Sequence, residues 1–345
     1  MLKSAIPEPT IQTYSPNRYL CQKTSEKPEL DGRLDKPFWE QAPWSEDFVD
    51  IEGEMKPLPH KQTRVKMLWD DEYFYFGAEL IEDEIWATLT ERDSVIFHDN
   101  DFEIFIDPDG DTHHYYEFEI NALNTVWDLL LIKPYRDGGP SVNGWDISGM
   151  KTAVHIDGVL NAPDQMQKNH KWTVEVAMPW KILKECARDG RPPQSGEFWR
   201  VNFSRVQWQV EVENGQYVKK INPETAKPYP EDNWIWSPQG VINMHYPELW
   251  GYVFFTDTKN QPLPMIPEDE EKKWQLRKIY YWERNYYAEH DTFTTDISKE
   301  LQQQLPVDWE IETTSRTFIA SVKSTDGQKR IYIREDGKVW EESAK

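Results

Sequence analysis

Residues 63–80 read TRVKMLW-DDE-YFYFGAEL, and this stretch decides the fold. Apolar and polar side chains alternate over residues 63–69, which is the period of a β-strand. The acidic triplet that follows favours a turn, and an aromatic-rich run returns from Tyr73. Two such runs joined by a short polar turn predict a β-hairpin.

Further runs of the same character extend this prediction over most of the chain. The predicted strands are residues 102–106, 114–121, 127–133, 153–156, 171–177, 199–208 and 251–255. Helical signals are short, at residues 85–91 and 180–188, where Pro179 suits the first turn of the second helix. Many short strands with little helix predict a mainly β fold, a jelly-roll-like or immunoglobulin-like antiparallel β-sandwich.

Composition divides the chain into four parts. Residues 1–20 are predicted to form an irregular arm and residues 21–257 the sandwich. Residues 258–267 contain three prolines and are predicted to be a linker. Residues 268–345 are predicted to form a small α+β unit, with a helix over 268–289 whose acidic start suits the helix dipole. Its predicted strands are residues 309–313, 317–323, 329–334 and 338–341.

The charge of the chain excludes some classes of partner. The 345 residues include 61 acidic and 39 basic side chains, a net charge of −22. Nucleic acid and anionic membranes are bound by clustered Lys and Arg, so neither is expected as a partner. Neutral sugars and cations such as Ca²⁺ are compatible ligands, and 17 Trp residues could supply stacking surfaces for sugar rings.

Cysteine usage and the N-terminus bear on the compartment. Cys21 and Cys186 could form a disulfide, but two distant cysteines do not define a disulfide framework. No apolar run approaches the roughly 20 residues that span a bilayer. No signal peptide is visible in residues 1–20, which predicts either a cytoplasmic protein or a sequence that lacks its export segment.

The hairpin from Asp99 to Asn121 carries the main functional signal. Alternation places Phe118 and Ile120 towards the core and sends the carboxylates of both strands to the opposite face. Charged and amide acceptors of this kind bind sugar hydroxyls well. An ordinary solvated outer face would show the same pattern, so the residues alone leave both interpretations open.

A set of ordered motifs makes one interpretation more specific. In chain order they are PELDGRLDKPFW (28–39), VKMLWDDEYFY (65–75), NDFEIFID (100–107), FEIN (118–121), WTVEVA (172–177), WSP (236–238) and WG (250–251). Over residues 28–257 this set resembles family 9 carbohydrate-binding modules. The resemblance implies a jelly-roll-like sandwich that binds reducing ends of glucans or xylans, commonly holds structural Ca²⁺ and accompanies glycoside hydrolases in carbohydrate catabolism. It also implies a periplasmic or extracellular location.

The resemblance implies particular sugar contacts. The acidic contact of the family falls on Glu103 and its asparagine contact on Asn121. Phe97 stands where the family has the first of two clamping Trp residues, and Glu119 stands where it has a basic residue. The second Trp would lie in the loop where this chain has Met244, His245 and Tyr246, so His245 is a further candidate contact.

Further candidates follow from residue type. Four Trp residues at predicted strand ends or in loops are candidate stacking platforms, with core packing as the alternative: Trp145, Trp208, Trp234 and Trp236. Asp107, Asp109 and Asp111 offer hard oxygen ligands at alternate positions, which could bind Ca²⁺ or simply favour a turn. Asp31 and Asp35 form a second group of this kind.

The function predicted from the sequence is carbohydrate binding without cleavage. No nucleophile elbow, zinc motif or phosphate loop is present. One alternative is a glycoside hydrolase that uses a carboxylate pair. The other is a haem-binding electron-transfer domain, with Met67 as a ligand only if its face of the strand is not core.

Overall fold

The computed structural model describes residues 4–11 and 13–344, and its strands confirm the mainly β prediction. In chain order the strands are β1 (Arg18–Lys23), β2 (Val49–Asp50), β3 (Thr63–Trp69), β4 (Tyr73–Ile81), β5 (Asp101–Asp107), β6 (Tyr115–Asn121), β7 (Val126–Leu131), β8 (Ser141–Val142), β9 (Lys151–Asp157), β10 (Lys171–Pro179), β11 (Phe198–Gln207), β12 (Val210–Glu213), β13 (Gln216–Lys219), β14 (Ile221–Asn222), β15 (Lys227–Pro228), β16 (Asp232–Ile235), β17 (Gly251–Thr256), β18 (Glu310–Thr313), β19 (Phe318–Lys323), β20 (Lys329–Arg334) and β21 (Val339–Ser343). The α-helices are α1 (Pro37–Glu40), α2 (Trp180–Leu183), α3 (Glu268–His290) and α4 (Lys299–Gln302).

One curled sheet builds the sandwich. Its strand order is β8-β7-β6-β5-β11-β17-β1-β3-β4-β10-β9, with β16 beside β11 and β2 beside β16. Pairing is antiparallel except that β1 lies parallel to both β17 and β3. The sandwich prediction is confirmed, and β1 adds parallel pairs that alternation in a single strand does not reveal.

Alternate side chains from the two halves of the curled sheet face each other and form the main core. Val65, Met67 and Trp69 of β3 face Phe102 and other apolar side chains of the opposite half. Met67 is completely buried in this core. Haem ligation by Met67 requires its face of β3 to lie outside the core. Since that face forms part of the core, the condition is not met.

Two short elements differ from their prediction. Residues 85–90 form no helix, because other segments bind their backbone groups. Asn161 accepts a hydrogen bond from Ala87 N at 3.1 Å, and Asp99 accepts from Thr88 N and Leu89 N at 2.7 and 2.8 Å. The helix predicted over 180–188 is a single turn, α2, followed by turns.

The C-terminal helix and sheet form as predicted, and α3 packs against the sandwich. Its Tyr280 hydroxyl donates to Asp137 at 2.7 Å. The N-terminal segment covers another part of α3, where the rings of Tyr14 and Trp274 stack at 5.2 Å. The four-part division of the chain stays a prediction, but these contacts join its first, second and last parts through a common buried cluster.

The structure also bears on two expectations about the chain, the disulfide and the membrane span. Cys21 and Cys186 are both free thiols, so the disulfide that the sequence allowed is not formed. Within residues 4–11 and 13–344, no helix combines the length and apolar character needed to cross a bilayer.

Glu283 of α3 is a lone buried acid. Its side chain is completely buried, and Oε1 has no hydrogen-bond partner in the described part of the chain. Burial raises the pKa of Glu283 from its ordinary value of 4.5 to about 7. Between these two pH values the folded protein therefore binds more protons than the unfolded chain, so stability falls as the pH rises.

We expect Glu283→Gln to raise the free energy of unfolding by up to about 3 kcal/mol at pH 8 and to change it little near pH 4.5. Glutamine resembles the protonated acid and carries no charge to bury. Urea unfolding followed by Trp fluorescence across this pH range measures the difference. Glu289→Gln, at an exposed position of the same helix, is the control. Equal gains at both pH values would contradict the prediction.

Candidate functional site

The hairpin of β5 and β6 carries four carboxylates on the face opposite the main core. In the register of the two strands Glu103 lies opposite Glu119, with Asp101 and Glu117 as their neighbours on the same face. We call these four residues the acidic face. All four are at most 6% exposed. The solvated outer face that the sequence left open is therefore excluded.

Remote segments cover this face, which is why alternation alone did not predict its burial. A second apolar cluster extends beside the carboxylates and combines strands with the segments around residues 51 and 244–250. Its members are Ile51, Phe105, Tyr115, Leu129, Leu131, Ile235, Met244 and Trp250, with Trp127 packed against them. A pattern of period two identifies two faces of a strand but carries no information about what lies over each.

Burial sets the ionisation of the acidic face. It raises the pKa of Glu103 to about 7, so both forms of this carboxyl are populated at neutral pH. Burial and the charge of Glu103 raise the pKa values of Asp101, Glu117 and Glu119 well above the ordinary range. A carboxyl that exchanges its proton near neutrality can accept or donate a hydrogen bond.

Phe97 and Trp208 lie together at one end of the acidic face. Trp208 Nε1 donates to the carbonyl oxygen of Phe97 at 2.8 Å, and Phe97 N donates to Glu119 at 2.9 Å. Both rings are half-buried. The ammonium of Lys219 lies 3.2 Å from the centre of the Trp208 ring and covers one side of it. The structure thus brings together three predicted site residues, Phe97, Trp208 and Glu103, around Glu119.

Asn121 lies on the same strand, but its amide is used within the protein. Its nitrogen donates to Leu89 O at 2.9 Å and to Asp99 at 3.0 Å. Its oxygen accepts from Leu123 N and Thr125 N at 3.0 and 3.1 Å. These bonds fill both donors and both acceptor positions of the amide. A sugar contact by Asn121 stays a prediction, and the observed contacts give this residue a role in fixing the turn.

His245 lies at the other end of the face. Its Nδ1 is 2.9 Å from the Tyr115 hydroxyl, and its ring meets that of Tyr135 at 4.6 Å. Burial and the charge of Arg136 lower the pKa of His245 to about 3, so the ring is neutral. Tyr135 is 46% exposed, and its contact with His245 links it to Tyr115, which lies on the same face of β6 as Glu117.

The other predicted Trp residues lie away from the acidic face. Trp234 and Trp236 are buried in the main core, where Trp236 Nε1 donates to Glu46 at 3.0 Å. Trp145 stacks on Tyr116 at 4.9 Å and packs against the same core. Core packing, which was the alternative for each of them, is what the structure shows.

Two aromatic side chains of the site were not predicted. Trp127 of β7 lies directly opposite Glu119 and is half-buried. Alternation along residues 127–133 could have placed it beside the carboxylates. Tyr135 follows β7 in a short 3₁₀ turn, and no sequence pattern pointed to it.

The acidic turn after β5 brings its carboxylates together. Oxygen atoms of Asp107, Asp109 and Asp111 lie within 4.8 Å of one another. Asp107 accepts from Gly110 N and Thr112 N, and the Lys338 ammonium lies 2.9 Å from Asp111. These contacts suit a turn fixed by its own side chains, and Ca²⁺ binding here stays a prediction. Asp31, of the second group, is paired with Lys36 at 2.7 Å.

Comparisons with known proteins confirm the resemblance. Residues 30–191 match the family model described as "Carbohydrate family 9 binding domain-like", which spans β2 to β10 and so includes the β5–β6 hairpin. Among curated proteins, no match to this chain was found.

Three solved structures are similar to this chain. A candidate carbohydrate-binding protein from Bacteroides uniformis has 14% sequence identity and a TM-score of 0.50, over 70% of this chain and 100% of that one. Two structures of a family 9 module from Caldicellulosiruptor kristjanssonii, in complex with glucose and with cellotriose, have identities of 16% and 17% and TM-scores of 0.43 and 0.42. They cover 72% and 73% of this chain and all of their own.

Proposed function

We propose that this chain, with a carbohydrate family 9 binding domain-like region at residues 30–191, binds oligosaccharide or polysaccharide at the acidic face without cleaving it. One observation carries the proposal: partly exposed aromatic side chains border the buried carboxylates at both ends, Phe97 and Trp208 on one side and Tyr135 on the other. Sugar rings present apolar faces and polar edges, so they suit a site of this composition.

The two kinds of side chain would act differently on a sugar. A carboxylate that accepts from sugar hydroxyls contributes about 1.5–3 kcal/mol for each well-placed bond. An aromatic ring that covers a sugar face buries apolar area, which adds about 1–3 kcal/mol by analogy with other aromatic contacts. Glu103 is 4% exposed, more than Asp101 or Glu119, and we assign the main polar contact to it. Binding of this kind would serve carbohydrate catabolism, and the compartment stays a prediction.

We expect Glu103→Gln and Phe97→Ala each to weaken sugar binding by about tenfold or more, since each removes one of these contacts. A glycan array would first identify a glucan, xylan or oligosaccharide ligand, and titration calorimetry would then compare the variants. Trp340→Ala is the control, because Trp340 is a partly exposed Trp of β21, on the C-terminal sheet.

The same measurements can contradict the proposal. No binding to any glycan by the wild-type protein would overturn it. Unchanged affinity in both Glu103→Gln and Phe97→Ala, with circular dichroism showing a native fold, would remove the site from the acidic face.

A further inference from the structure

A second polar surface lies on the other half of the curled sheet. The register places Arg64, Glu79, Thr173 and His155 side by side across β3, β4, β10 and β9. Lys66 lies two residues further along β3 than Arg64 and therefore on the same face, away from the main core. A cavity of about 420 Å³ lies over this face, within the usual size range of small-molecule sites. We call it the Lys66 cleft, and its lining includes Arg33, Trp44, Lys66, Glu79, His155 and Thr173.

Lys66 is a buried cation without a counter-ion in the described part of the chain. Its side chain is 9% exposed, and its ammonium donates to Trp39 O at 2.7 Å. Two other poorly exposed lysines, Lys61 and Lys273, each pair with a carboxylate. An ammonium has three donors, and a buried charge is costly unless it is paired. An anion in the cleft would supply the pairing that Lys66 lacks.

The Trp44 ring forms one wall of the cleft. The Arg64 guanidinium lies 4.2 Å and the Lys66 ammonium 4.7 Å from the centre of this ring. Cation–π contacts of this kind hold the ring in one orientation. Trp44 is only partly buried, so it can offer an apolar surface to a sugar ring. Arg33, which also lines the cleft, is exposed and forms no ion pair within the described residues.

The acidic side chains of the cleft are of two kinds. Glu79 is neutralised by Arg64 at 2.8 Å and by Lys171 at 2.7 Å. Asp35 and Asp157 are exposed and have no ion pair among the residues that the structure describes. The cleft therefore offers both unpaired cations and unpaired carboxylates. A ligand with one negative charge and several hydroxyl groups can use both, whereas the two aspartates would repel a phosphate dianion more strongly.

We propose that the Lys66 cleft binds a uronic acid, a sugar whose carboxylate contacts Lys66 and Arg33 and whose ring lies against Trp44. Hydrogen bonds between a cation and a carboxylate are among the stronger ones. The hydroxyl groups of the sugar would donate to Asp35 and Asp157. This inference goes beyond the proposed function, because it assigns a second site and a charged ligand, and it does not require binding at the acidic face.

Titration calorimetry of the full chain near neutral pH tests the inference with defined ligands. Glucuronate and galacturonate are compared with glucose and galactose, which carry a hydroxymethyl group in place of the carboxylate. Acetate is the third probe, because it has the carboxylate without the ring. We expect at least one uronate to bind about tenfold or more tightly than its neutral counterpart and than acetate.

Variants of the chain locate the binding. Lys66→Met keeps the apolar stem of the side chain and is expected to weaken uronate binding by about tenfold or more, with neutral-sugar affinity unchanged. Lys259→Met is the matched control, because Lys259 is exposed in the turn after β17 and does not line the cleft. Phe97→Ala alters the acidic face alone, so uronate binding is expected to persist in it, and the two proposals fail separately.

Several results would overturn the inference. Uronates that bind no more tightly than the neutral sugars would remove the charged ligand, and acetate that binds as tightly as a uronate would remove the sugar. Unchanged uronate affinity in a natively folded Lys66→Met would remove the site. If Lys66→Met does not fold, Arg33→Met decides, because Arg33 is exposed, and unchanged affinity there would count equally against the cleft. Loss of uronate binding in Phe97→Ala alone would place the ligand at the acidic face instead.

Discussion

Replacing Glu175 with leucine is expected to lower the free energy of unfolding by about 3–5 kcal/mol. Glu175 of β10 is completely buried and accepts hydrogen bonds from four donors on the segment before β2. The donors are Asp31 N at 2.9 Å, Gly32 N at 2.8 Å, the Lys36 ammonium at 2.9 Å and Trp39 Nε1 at 2.7 Å. Leucine fits the volume but leaves three N–H groups without their acceptor and removes one of the three acceptors of the Lys36 ammonium, which keeps Asp31 and Glu29 O.

Chemical denaturation followed by Trp fluorescence measures this effect. Glu72→Leu is a suitable control, because Glu72 makes an exposed ion pair with Lys27 at 2.7 Å, and such pairs contribute at most about 1 kcal/mol. A loss below about 1 kcal/mol for Glu175→Leu would show that the segment before β2 is held by its apolar contacts instead.

Glu175 also gives a physical reason why two of the sequence motifs occur in the same chain. PELDGRLDKPFW and WTVEVA were recognised as separate motifs of one family, without a physical link between them. The structure supplies the link, since the carboxylate of the second motif binds the backbone and Trp of the first. A similar link joins WSP and WG: a Cβ atom on Gly251 would lie 2.3 Å from the Trp236 ring, so only glycine leaves room for that ring.

The candidate site was predicted in part. Alternation placed Glu103 and Glu119 on one face correctly, because it follows from strand geometry alone. It could not predict their burial, because segments such as that of Trp208, which bonds to Phe97 beside Glu119, are far away in sequence. Trp234, predicted as a platform, belongs to a strand of four residues, too short for alternation to show which face its side chains take.

Replacing Arg284 with methionine is expected to cost about 3–5 kcal/mol of stability. Arg284 of α3 forms an ion pair with Asp137, and both side chains are completely buried. The Tyr280 hydroxyl donates to the same carboxylate at 2.7 Å. Methionine would leave the buried Asp137 charge with the Tyr280 hydroxyl and the Arg136 guanidinium, 3.5 Å away, as its partners. Loss of the Arg284 contact leaves the desolvation of that charge less well compensated, which is the origin of the cost.

Denaturant unfolding of matched variants separates the charge from the loss of packing. Arg316→Met makes the same substitution at a side chain that is 66% exposed, and a change within about 1 kcal/mol is expected there. Adding Asp137→Asn to Arg284→Met should recover part of the loss, because the buried charge that has lost its Arg284 partner is then removed. A double variant no more stable than Arg284→Met would attribute the cost to packing.

The position of Asp137 connects this ion pair to the candidate site. Asp137 lies in the 3₁₀ turn Tyr135–Asp137, and the Tyr135 ring contacts that of His245 at the end of the acidic face. In the same turn Arg136 donates to His245 O at 2.7 Å and pairs with Glu248 at 2.7 Å, so α3 and the sandwich hold the turn from two sides. Arg284→Met is therefore expected to weaken sugar binding as well, by less than Glu103→Gln does. Calorimetry below the unfolding transition tests this, and unchanged sugar affinity would show that Tyr135 keeps its position without α3.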